Sequence, residues 1–440
     1  MKKTIRAAAL FCCAAVALGL AGCAGRSTLL REAETAQPLS YAEYGDENLS
    51  ALRSGAQAFS AKLSAALYAE SDKTENFVLS PVSVYAGLSL AAACAAGETK
   101  AQLLSALGVS DRQLSAGFAP FYRSLTNETE DDAGKLRTKL HLANAVYVNE
   151  GTQTNDACLD ALASDYFCYS YAADFLGDNR AANQAVRRFV KDRTNGLIDV
   201  DFALSEETTF ALVNALYLKD VWNSYGNDLP EIGERTFADA DGQAQTVPFL
   251  RGYYESGRAY EGTTFTSFHA DTLSGYEIHF LLPKDGYAAA DVFTEDALTE
   301  LAAADYRAAD HENKIRYYTR CLFPAFECAG DMDAAHALQQ AFGVSDLFSA
   351  SACDLSSLTP DKAFCTGVRH VAKLTVNEKG IEGAAATVLP AAGDPGPDEY
   401  EEVYLDFTVD RSFGFVLTDP YGVILFAGVC LLYTSPSPRD

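Results

Sequence analysis

A run of small and polar residues interrupts two segments that otherwise have the pattern of buried strands. RHVAKLTV (369–376) and VYLDFTVDRSFGFVL (403–417) flank NEKGIEGAAATVLPAAGDPGPDE (377–399), which is rich in Gly, Ala, Pro and acidic residues. Because strand-forming residues stand on both sides, the run lies within a folded domain. It is therefore either a solvated connection or a segment that changes its place in the fold.

The rest of the chain predicts one α+β domain over residues 49–430. Residues 49–70 have helical spacing, with Leu52, Ala56, Phe59 and Leu63 on one face. Later segments have the pattern of strands, and DPYG (419–422) predicts a hairpin turn between the last two. Helices cluster early and strands late, with no internal repeat or linker between them.

Composition and motifs exclude several classes of function. A formal net charge of −26 argues against binding to nucleic acid or to acidic membrane surfaces. The sequence contains no G-x-S-x-G, no H-E-x-x-H and no glycine loop that would cradle a phosphate. Its six histidines are scattered, so no metal site is predicted, and neither is a cofactor. We do not expect an enzyme.

The N-terminus has the pattern of an export signal. Residues 1–22 combine Lys2, Lys3 and Arg6 with a short apolar run, which predicts a signal peptide. LAGC (20–23) resembles the bacterial lipobox, which implies a lipidated Cys23 and a membrane-tethered location outside the cytoplasm. Ordinary cleavage near Ala24 is the alternative. Residues 23–48 are polar and irregular, as is typical of a tether.

Eight cysteines remain after the signal peptide and Cys23. They show no C-x-x-C pair, and a chain of this length does not require disulfide bonds. We therefore expect isolated buried thiols.

Several segments together resemble the serpin family of serine-protease inhibitors. In family order they are NFVLSPVSVYAGLSLAAACAAGETKAQL (76–103), LHLANAVYVNEG (140–151), VNALYLKDVW (213–222), VPFL (247–250), FLLPKDG (280–286), ALQQAFGVSDLFSASACDLSSLT (337–359), VRHVAKLTVNEKG (368–380) and SFGFVLTDPYGVILFAGV (412–429). The resemblance covers about residues 50–430. It implies helices packed on a large central sheet, smaller sheets and an exposed reactive loop. LLYTSPSPRD (431–440) does not resemble a serpin end, and we interpret it as a non-native tail.

The resemblance also implies two sites around the central sheet. Ser80, Ser83, Asn214 and His370 match the family's shutter, a set of polar groups beneath the sheet where its strands separate. Hydroxyls, an amide and an imidazole can exchange hydrogen bonds as strands part. Trp222 matches the breach, at the top of the sheet. A polar cluster and a tryptophan that simply stabilise the core are the alternatives.

The interrupting run matches the serpin hinge. The matching residues are Glu378, Gly380, Ile381, Glu382, Gly383, Ala384, Ala385, Ala386 and Thr387. In a strand, alternate side chains point to opposite faces, so Ile381, Gly383, Ala385 and Thr387 would share one face, with Glu382 on the other. Small uncharged residues suit a strand that enters a sheet. An exposed flexible loop is the alternative.

The position of the reactive bond is ambiguous. Family spacing from the hinge places it at Asp394–Pro395, whereas counting back from Phe407 places it near Asp398–Tyr400. Proline after the bond makes a poor substrate for most serine proteases. Pro390 lacks an N–H and would forfeit a ladder hydrogen bond inside a sheet.

The function implied is suicide inhibition of a protease, with the serine class favoured. A target protease cleaves the loop, and the freed hinge inserts as a new strand that carries the protease about 50 Å. The partner is then the target protease, and the inhibitor is expected to be monomeric. A non-inhibitory binding or adhesion protein on the same fold is the alternative.

Overall fold

A computed structural model describes residues 27–130, 136–224, 229–306, 309–310, 314–381 and 401–432. The helices are α1 (Glu47–Glu70), α2 (Pro81–Cys94), α3 (Gly97–Leu107), α4 (Asp111–Ser124), α5 (Asp156–Ser164), α6 (Asn179–Arg193), α7 (Glu295–Ala302) and α8 (Ala335–Phe342). The strands are β1 (Thr28–Arg31), β2 (Phe77–Leu79), β3 (Asn127–Glu130), β4 (Leu136–Asn149), β5 (Cys168–Ala173), β6 (Phe210–Val221), β7 (Glu231–Ala238), β8 (Ala244–Tyr254), β9 (Ala259–Glu261), β10 (Phe265–Asp271), β11 (Glu277–Pro283), β12 (Ala309–Asp310), β13 (Ile315–Pro324), β14 (Phe326–Asp333), β15 (Arg369–Asn377), β16 (Gly380–Ile381), β17 (Glu401–Thr408), β18 (Phe413–Thr418) and β19 (Ile424–Cys430). The predicted α+β class is confirmed.

Helix α2 is the central helix of the domain. Pro81 stands in its first turn, where a missing N–H costs no helical hydrogen bond. Almost every residue of α2 is buried, and the helix packs against α1, α3, β6 and β19. A helix that is apolar on all sides is stable only inside a protein. α2 thus supports the large sheet from below.

The large sheet has the strand order β1-β5-β4-β6-β16-β15-β14, with β3 paired to β4. Among these pairs, β4 and β5 are parallel and the others are antiparallel. β16 is only two residues long, and it stands between two much longer strands, β6 and β15. After β15, the chain therefore turns back and re-enters the same sheet as β16.

The N-terminal segment differs from the irregular segment predicted for residues 23–48. Thr28–Arg31 forms the edge strand β1, and the Arg31 guanidinium contacts Asp156 and Asp160 of α5 at 2.9 and 2.7 Å. A further contact joins Arg123 to Glu43 at 2.6 Å. The segment is therefore docked on the domain from residue 28 onward, because partners distant in sequence supply its hydrogen bonds.

Two smaller sheets complete the fold. One has the order β2-β19-β18-β11-β10-β9, and the other has β12-β13-β8-β7 with β17 paired to β13 in parallel. The predicted hairpin is confirmed between β18 and β19. Asp419 Oδ1 accepts hydrogen bonds from the Tyr421 and Val423 amides at 2.9 and 2.8 Å, and Gly422 has a φ of +80° that favours glycine.

The eight cysteines that the structure describes are free thiols, most of them buried. Two pairs of these free thiols are neighbours, because the Cys94 thiol contacts that of Cys158 and the Cys328 thiol contacts that of Cys430. These contacts join elements that are distant in sequence, so spacing alone could not show them.

Candidate functional site

The hinge begins with a tight reversal of the chain. β15 ends at Asn377, and after Glu378 and Lys379 the chain returns antiparallel as β16. Gly380 pairs with Asn377 of β15 and with Val221 of β6, and Ile381 pairs with Val376 and Asp220. The first two residues after the turn are thus hydrogen-bonded within the central sheet on both sides.

Gly380 satisfies two requirements that no other residue meets there. Its φ of +139° lies in the region that disfavours L-residues. A Cβ atom would also collide with the carbonyl oxygen of Asp220 and would lie 2.9 Å from the Cα atom of Val221. Ile381, the next residue, is fully buried. Close approach of β6 therefore explains glycine at this position of the hinge.

The strands β6 and β15 are connected at both ends but not along the middle of their length. At one end they are joined through β16, and at the other Phe210 forms a bridge with Cys365, just before β15. Between these points, no ladder within the described residues pairs β6 directly with β15. The edges of two long central strands therefore face each other beyond the end of β16.

The predicted hinge and loop extend beyond the residues that the structure describes. Glu382, Gly383, Ala384, Ala385, Ala386 and Thr387 of the hinge, and the candidate bond Asp394–Pro395, lie outside the described residues. The chain resumes at Glu401, whose amide donates to the Lys314 carbonyl at 2.8 Å as β17 begins beside β13. Cys23 also lies outside the described residues.

Trp222 lies beside the turn of the hinge. Its indole is fully buried, and Nε1–H donates to the carbonyl oxygen of Asn377 at 2.8 Å. Its ring meets that of Phe323 edge to face at 5.9 Å. The turn is held from another side by Leu229, whose amide donates to the Glu378 carbonyl at 2.8 Å. Trp222 therefore joins the end of β6 to the last residue of β15.

A buried carboxyl group next to the hinge was missed by the sequence analysis. Asp220 Oδ1 accepts from the Thr138 hydroxyl at 2.7 Å and from the Val221 amide at 3.0 Å, and Oδ2 accepts from the Ser274 amide at 3.0 Å. Burial raises the pKa of Asp220. In the sequence, Asp220 lies between the apolar residues of a predicted strand and Trp222. This position was the signal that could have identified it. These bonds fix the edge of β6 against which Ile381 pairs.

Three of the four predicted shutter residues form one hydrogen-bonded group. The Ser80 amide donates to His370 Nε2 at 2.8 Å, and the Ser80 and Ser83 hydroxyls are 2.9 Å apart. All three residues are buried. The group joins the start of α2 to the start of β15.

Asn214, the fourth shutter residue, bonds to a residue that the sequence analysis missed. Its Nδ2 donates to Asn144 Oδ1 at 2.7 Å, and the two asparagines are directly opposite in the β4–β6 ladder. Asn214, Ser83 and His370 nevertheless line one cavity between β6 and β15. A Cβ atom on Gly87 of α2 would lie 2.5 Å from Asn214 Oδ1, so glycine makes room for this amide.

Neither a cluster of metal-binding side chains nor a helix able to cross a membrane is found among the described residues. They contain no group of three or more His, Cys, Asp or Glu side chains arranged to hold a metal ion. No helix of the same residues is long and apolar enough to cross a membrane. The polar groups around β6 and β15 remain the candidate site.

Comparison with known proteins identifies the fold and family. Residues 54–431 match the family described as Serpin (serine protease inhibitor). The chain belongs to the serpin family. A putative serpin-Z6C from Oryza sativa subsp. japonica is 28% identical over 400 residues, which cover 83% of this chain and 93% of the relative. The relative is a plant protein and has no bearing on the predicted lipoprotein signal.

Solved serpin structures share the architecture. The native state of Tengpin, a thermophilic serpin, matches with a TM-score of 0.71 and 22% identity, covering 92% of this chain and 99% of Tengpin. Serpin48 from the insect Tenebrio molitor matches with a TM-score of 0.73 and 20% identity, covering 89% and 100%. The predicted serpin fold, with helices on a large sheet and smaller sheets, is therefore confirmed.

We expect His370 to make the stability of this serpin depend on pH. Burial lowers the pKa of His370 to about 4, well below that of an exposed histidine. Between pH 6.5 and 4 the unfolded chain therefore binds a proton that the folded chain does not, so stability falls as pH falls. One histidine contributes about 3 kcal/mol to that decline. We expect His370→Gln to flatten the decline, as measured by urea unfolding between pH 7 and 4.

The control for this prediction is His336→Gln, since His336 is exposed. Glutamine at position 370 can still accept the Ser80 amide hydrogen bond but does not titrate. A loss of packing in His370→Gln would lower the free energy of unfolding at pH 7. The change of that free energy with pH depends instead on the titration of His370. An unchanged slope in His370→Gln would contradict the assignment.

Proposed function

We propose that this serpin is an extracytoplasmic suicide inhibitor of proteases, with the serine class as its target. The observation that carries the proposal is the position of β16. Gly380 and Ile381 are hydrogen-bonded between β6 and β15, in the antiparallel direction that an inserting loop would follow. Serpins are themselves a known case of strand addition into a sheet. A loop that served only as a solvated connection would have no need to begin inside the sheet.

The proposed mechanism couples proteolysis to strand addition. The nucleophilic serine of the protease attacks the carbonyl carbon of the reactive bond, and the amine of the following residue leaves. An ester then joins the protease to the hinge side of the loop. Release from β17 lets the hinge side extend β16 between β6 and β15, where both edges offer backbone partners.

The polar groups of the shutter support this movement. Entry of a strand requires β6 and β15 to separate above α2, where Asn214, Ser83 and His370 line the cavity. Hydroxyl, amide and imidazole groups each have further donors or acceptors, so they can accept new partners without leaving a buried polar atom unpaired. In this mechanism Asn144 and Asp220 keep β6 in position, Asn144 through its hydrogen bond with Asn214 and Asp220 as the partner of Ile381 in the sheet.

The test is formation of a covalent adduct. The purified domain is mixed with elastase-, chymotrypsin- and subtilisin-like proteases, and the products are separated in SDS. We expect an SDS-stable adduct with at least one serine protease and release of the C-terminal peptide. The mass of that peptide distinguishes Asp394–Pro395 from a bond near Asp398–Tyr400. Clean cleavage without an adduct, by every protease tested, would instead support the non-inhibitory binding protein.

The proposed location is the outer side of a membrane, with Cys23 carrying a lipid. The support is the LAGC motif after a short apolar run. We expect Cys23→Ser to move the expressed protein from the membrane fraction to the soluble extracytoplasmic fraction. The parent protein and the unrelated Cys353→Ser variant serve as controls. Equal partitioning of parent and Cys23→Ser would contradict lipidation.

A further inference from the structure

Two of the neighbouring thiols lie at the ends of two helices that pack together. Cys94 is the last residue of α2, and Cys158 lies in the first turn of α5. These helices contact each other, and so do the two thiols. Cys94 is fully buried, whereas Cys158 is partly exposed to solvent. We call Cys94 and Cys158 the thiol pair.

A third segment of the chain holds the two helix ends together. The Ser357 hydroxyl donates to the carbonyl oxygen of Ala95, which follows α2, at 3.1 Å. The Ser357 carbonyl oxygen accepts from Nδ2 of Asn155, the N-cap residue of α5, also at 3.1 Å. The Asn155 amide then donates to the Leu358 carbonyl oxygen at 2.8 Å. Because Ser357 bonds to both helix ends, the spacing of the thiol pair is fixed by contacts outside it.

The two helix ends give the thiols different chemistry. At the start of α5, the free backbone amides and the helix dipole favour a negative charge near Cys158. The hydrogen bond from Cys94 also lowers the pKa of Cys158. Cys94 lies at the opposite, C-terminal end of a helix, and its hydrogen bond to Cys158 and its burial raise its pKa. The thiolate, which is the nucleophilic form, therefore forms on Cys158 first.

The other described cysteines lack this combination of exposure and a stabilised thiolate. Cys353 is partly exposed like Cys158, but burial and two neighbouring carboxylates raise its pKa to about 11. Cys168, close to the thiol pair, is fully buried and donates to a backbone carbonyl oxygen at 3.3 Å. Cys328 and Cys430 contact each other, but both lie in the core. An oxidant in solution therefore reaches the thiol pair through Cys158.

We propose that Cys94 and Cys158 form a reversible disulfide bond by exchange with a disulfide-bonded oxidant. The Cys158 thiolate attacks one sulfur of the oxidant, forms a mixed disulfide and expels the other sulfur as a thiolate. Cys94 then loses its proton to solvent and attacks Cys158 Sγ, which releases the second sulfur of the oxidant. Two thiols of this serpin are oxidised, and the disulfide of the oxidant is reduced to two thiols.

The disulfide bond would join the central helix α2 to α5 and close a loop of about 64 residues. A cross-link over such a long loop restricts the unfolded chain and so favours the folded one. Oxidants of this class are typical of compartments outside the cytoplasm. The supply of oxidant therefore rests on the proposed extracytoplasmic location, whereas the exchange chemistry of the thiol pair does not.

The test maps the disulfide bond in the full-length protein, with glutathione disulfide as the oxidant. The reduced protein is incubated with it at about pH 8, where the thiolate forms readily, and its peptides are identified by mass without reduction. We expect one peptide pair joined through Cys94 and Cys158, and a thermal midpoint roughly 5 °C above that of the reduced protein. Cys158→Ser should show neither change. Cys353→Ser removes the other partly exposed thiol, and this matched control should behave like the parent.

Cys94→Ala separates the two steps of the exchange. Without the second thiol, Cys158 should retain the first glutathione as a stable mixed disulfide, which is seen as added mass on its peptide. Brief alkylation of the reduced parent gives a further measure of the same chemistry. We expect Cys158 to be alkylated at least tenfold faster than Cys353, because only the first has a stabilised thiolate.

Three results would overturn the inference. A Cys158 thiol that does not react in the parent would show that oxidants do not reach it. A glutathione adduct that persists on Cys158 in the parent would show that Cys94 does not complete the exchange. A bond from Cys158 to Cys168 would identify a different partner. The mapping in the parent needs no substitution, so it decides the question even if a variant unfolds. None of these measurements uses a protease, so a failure of the proposed inhibition would not produce any of these results.

Discussion

A single cut within residues 391–400 is expected to raise the thermal unfolding midpoint of this serpin by roughly 10 to 20 °C. The cut frees the hinge to extend β16 between β6 and β15, whose facing edges are not paired by a direct ladder in the described residues. An inserted strand of about fifteen residues adds hydrogen bonds on both edges, each worth about 1 kcal/mol. A domain of this size has an unfolding entropy of about 0.8 kcal/mol per degree, which gives the expected shift.

The measurement compares thermal unfolding before and after cleavage at a specific protease site engineered into the loop. The control carries the same site in the exposed turn at Asp285–Gly286, between β11 and α7. Cleavage there leaves the hinge attached at both ends and should lower the midpoint or leave it unchanged. A midpoint that does not rise after cleavage of the loop would favour the non-inhibitory binding protein.

The second large effect is expected from Thr387→Arg, which should turn an inhibitor into a substrate. Thr387 lies outside the described residues. Counting by two from the buried Ile381 places Thr387 on the same face of an extended strand. Insertion would bury the new guanidinium without a partner, at a cost of several kcal/mol. Each ~1.4 kcal/mol slows a step about tenfold, so hydrolysis of the acyl-enzyme overtakes insertion.

Adduct yield and the ratio of inhibitor consumed to protease inactivated measure this effect. We expect that ratio to rise at least tenfold in Thr387→Arg, while cleavage of the loop continues. Ala386→Arg is the matched control, since the same count places position 386 on the opposite face. Equal losses in the two variants would show that this segment does not enter the sheet as a strand in the assumed register.

The sequence was sufficient for the fold because many of its segments each resemble a serpin element. Apolar patterns in residues 140–149 and 210–219 predicted the central strands that became parts of β4 and β6. β1 could not be predicted, because TLLR is short and lacks the alternation of a half-buried strand. Its pairing with β5 and the contacts of Arg31 with α5 exist only in the folded chain.

The sequence predicted single residues of the candidate site but missed Asp220, Asn144 and the hydrogen bonds that they make. Motifs located Gly380, Trp222 and His370, and the structure places two of them at the turn of the hinge and one beneath the sheet. The bond between Asn214 and Asn144 depends on the register of two strands that are far apart in sequence. A one-residue shift would turn every side chain to the other face, and sequence pattern does not determine such a register to the residue.

The two-residue strand β16 also bears on how fast the protein can act. Bringing a free segment to a sheet normally begins with a slow, unfavourable step, because several backbone angles are fixed before the first hydrogen bonds compensate. Here the turn at Glu378 and Lys379, the backbone conformation of Gly380 and both sets of pairing partners are already in place. Under the proposed mechanism, a strand that grows after cleavage of the loop would extend from the existing strand β16. We therefore expect the rate of insertion to depend on how quickly β6 and β15 separate, and not on formation of the first hydrogen bonds of the new strand.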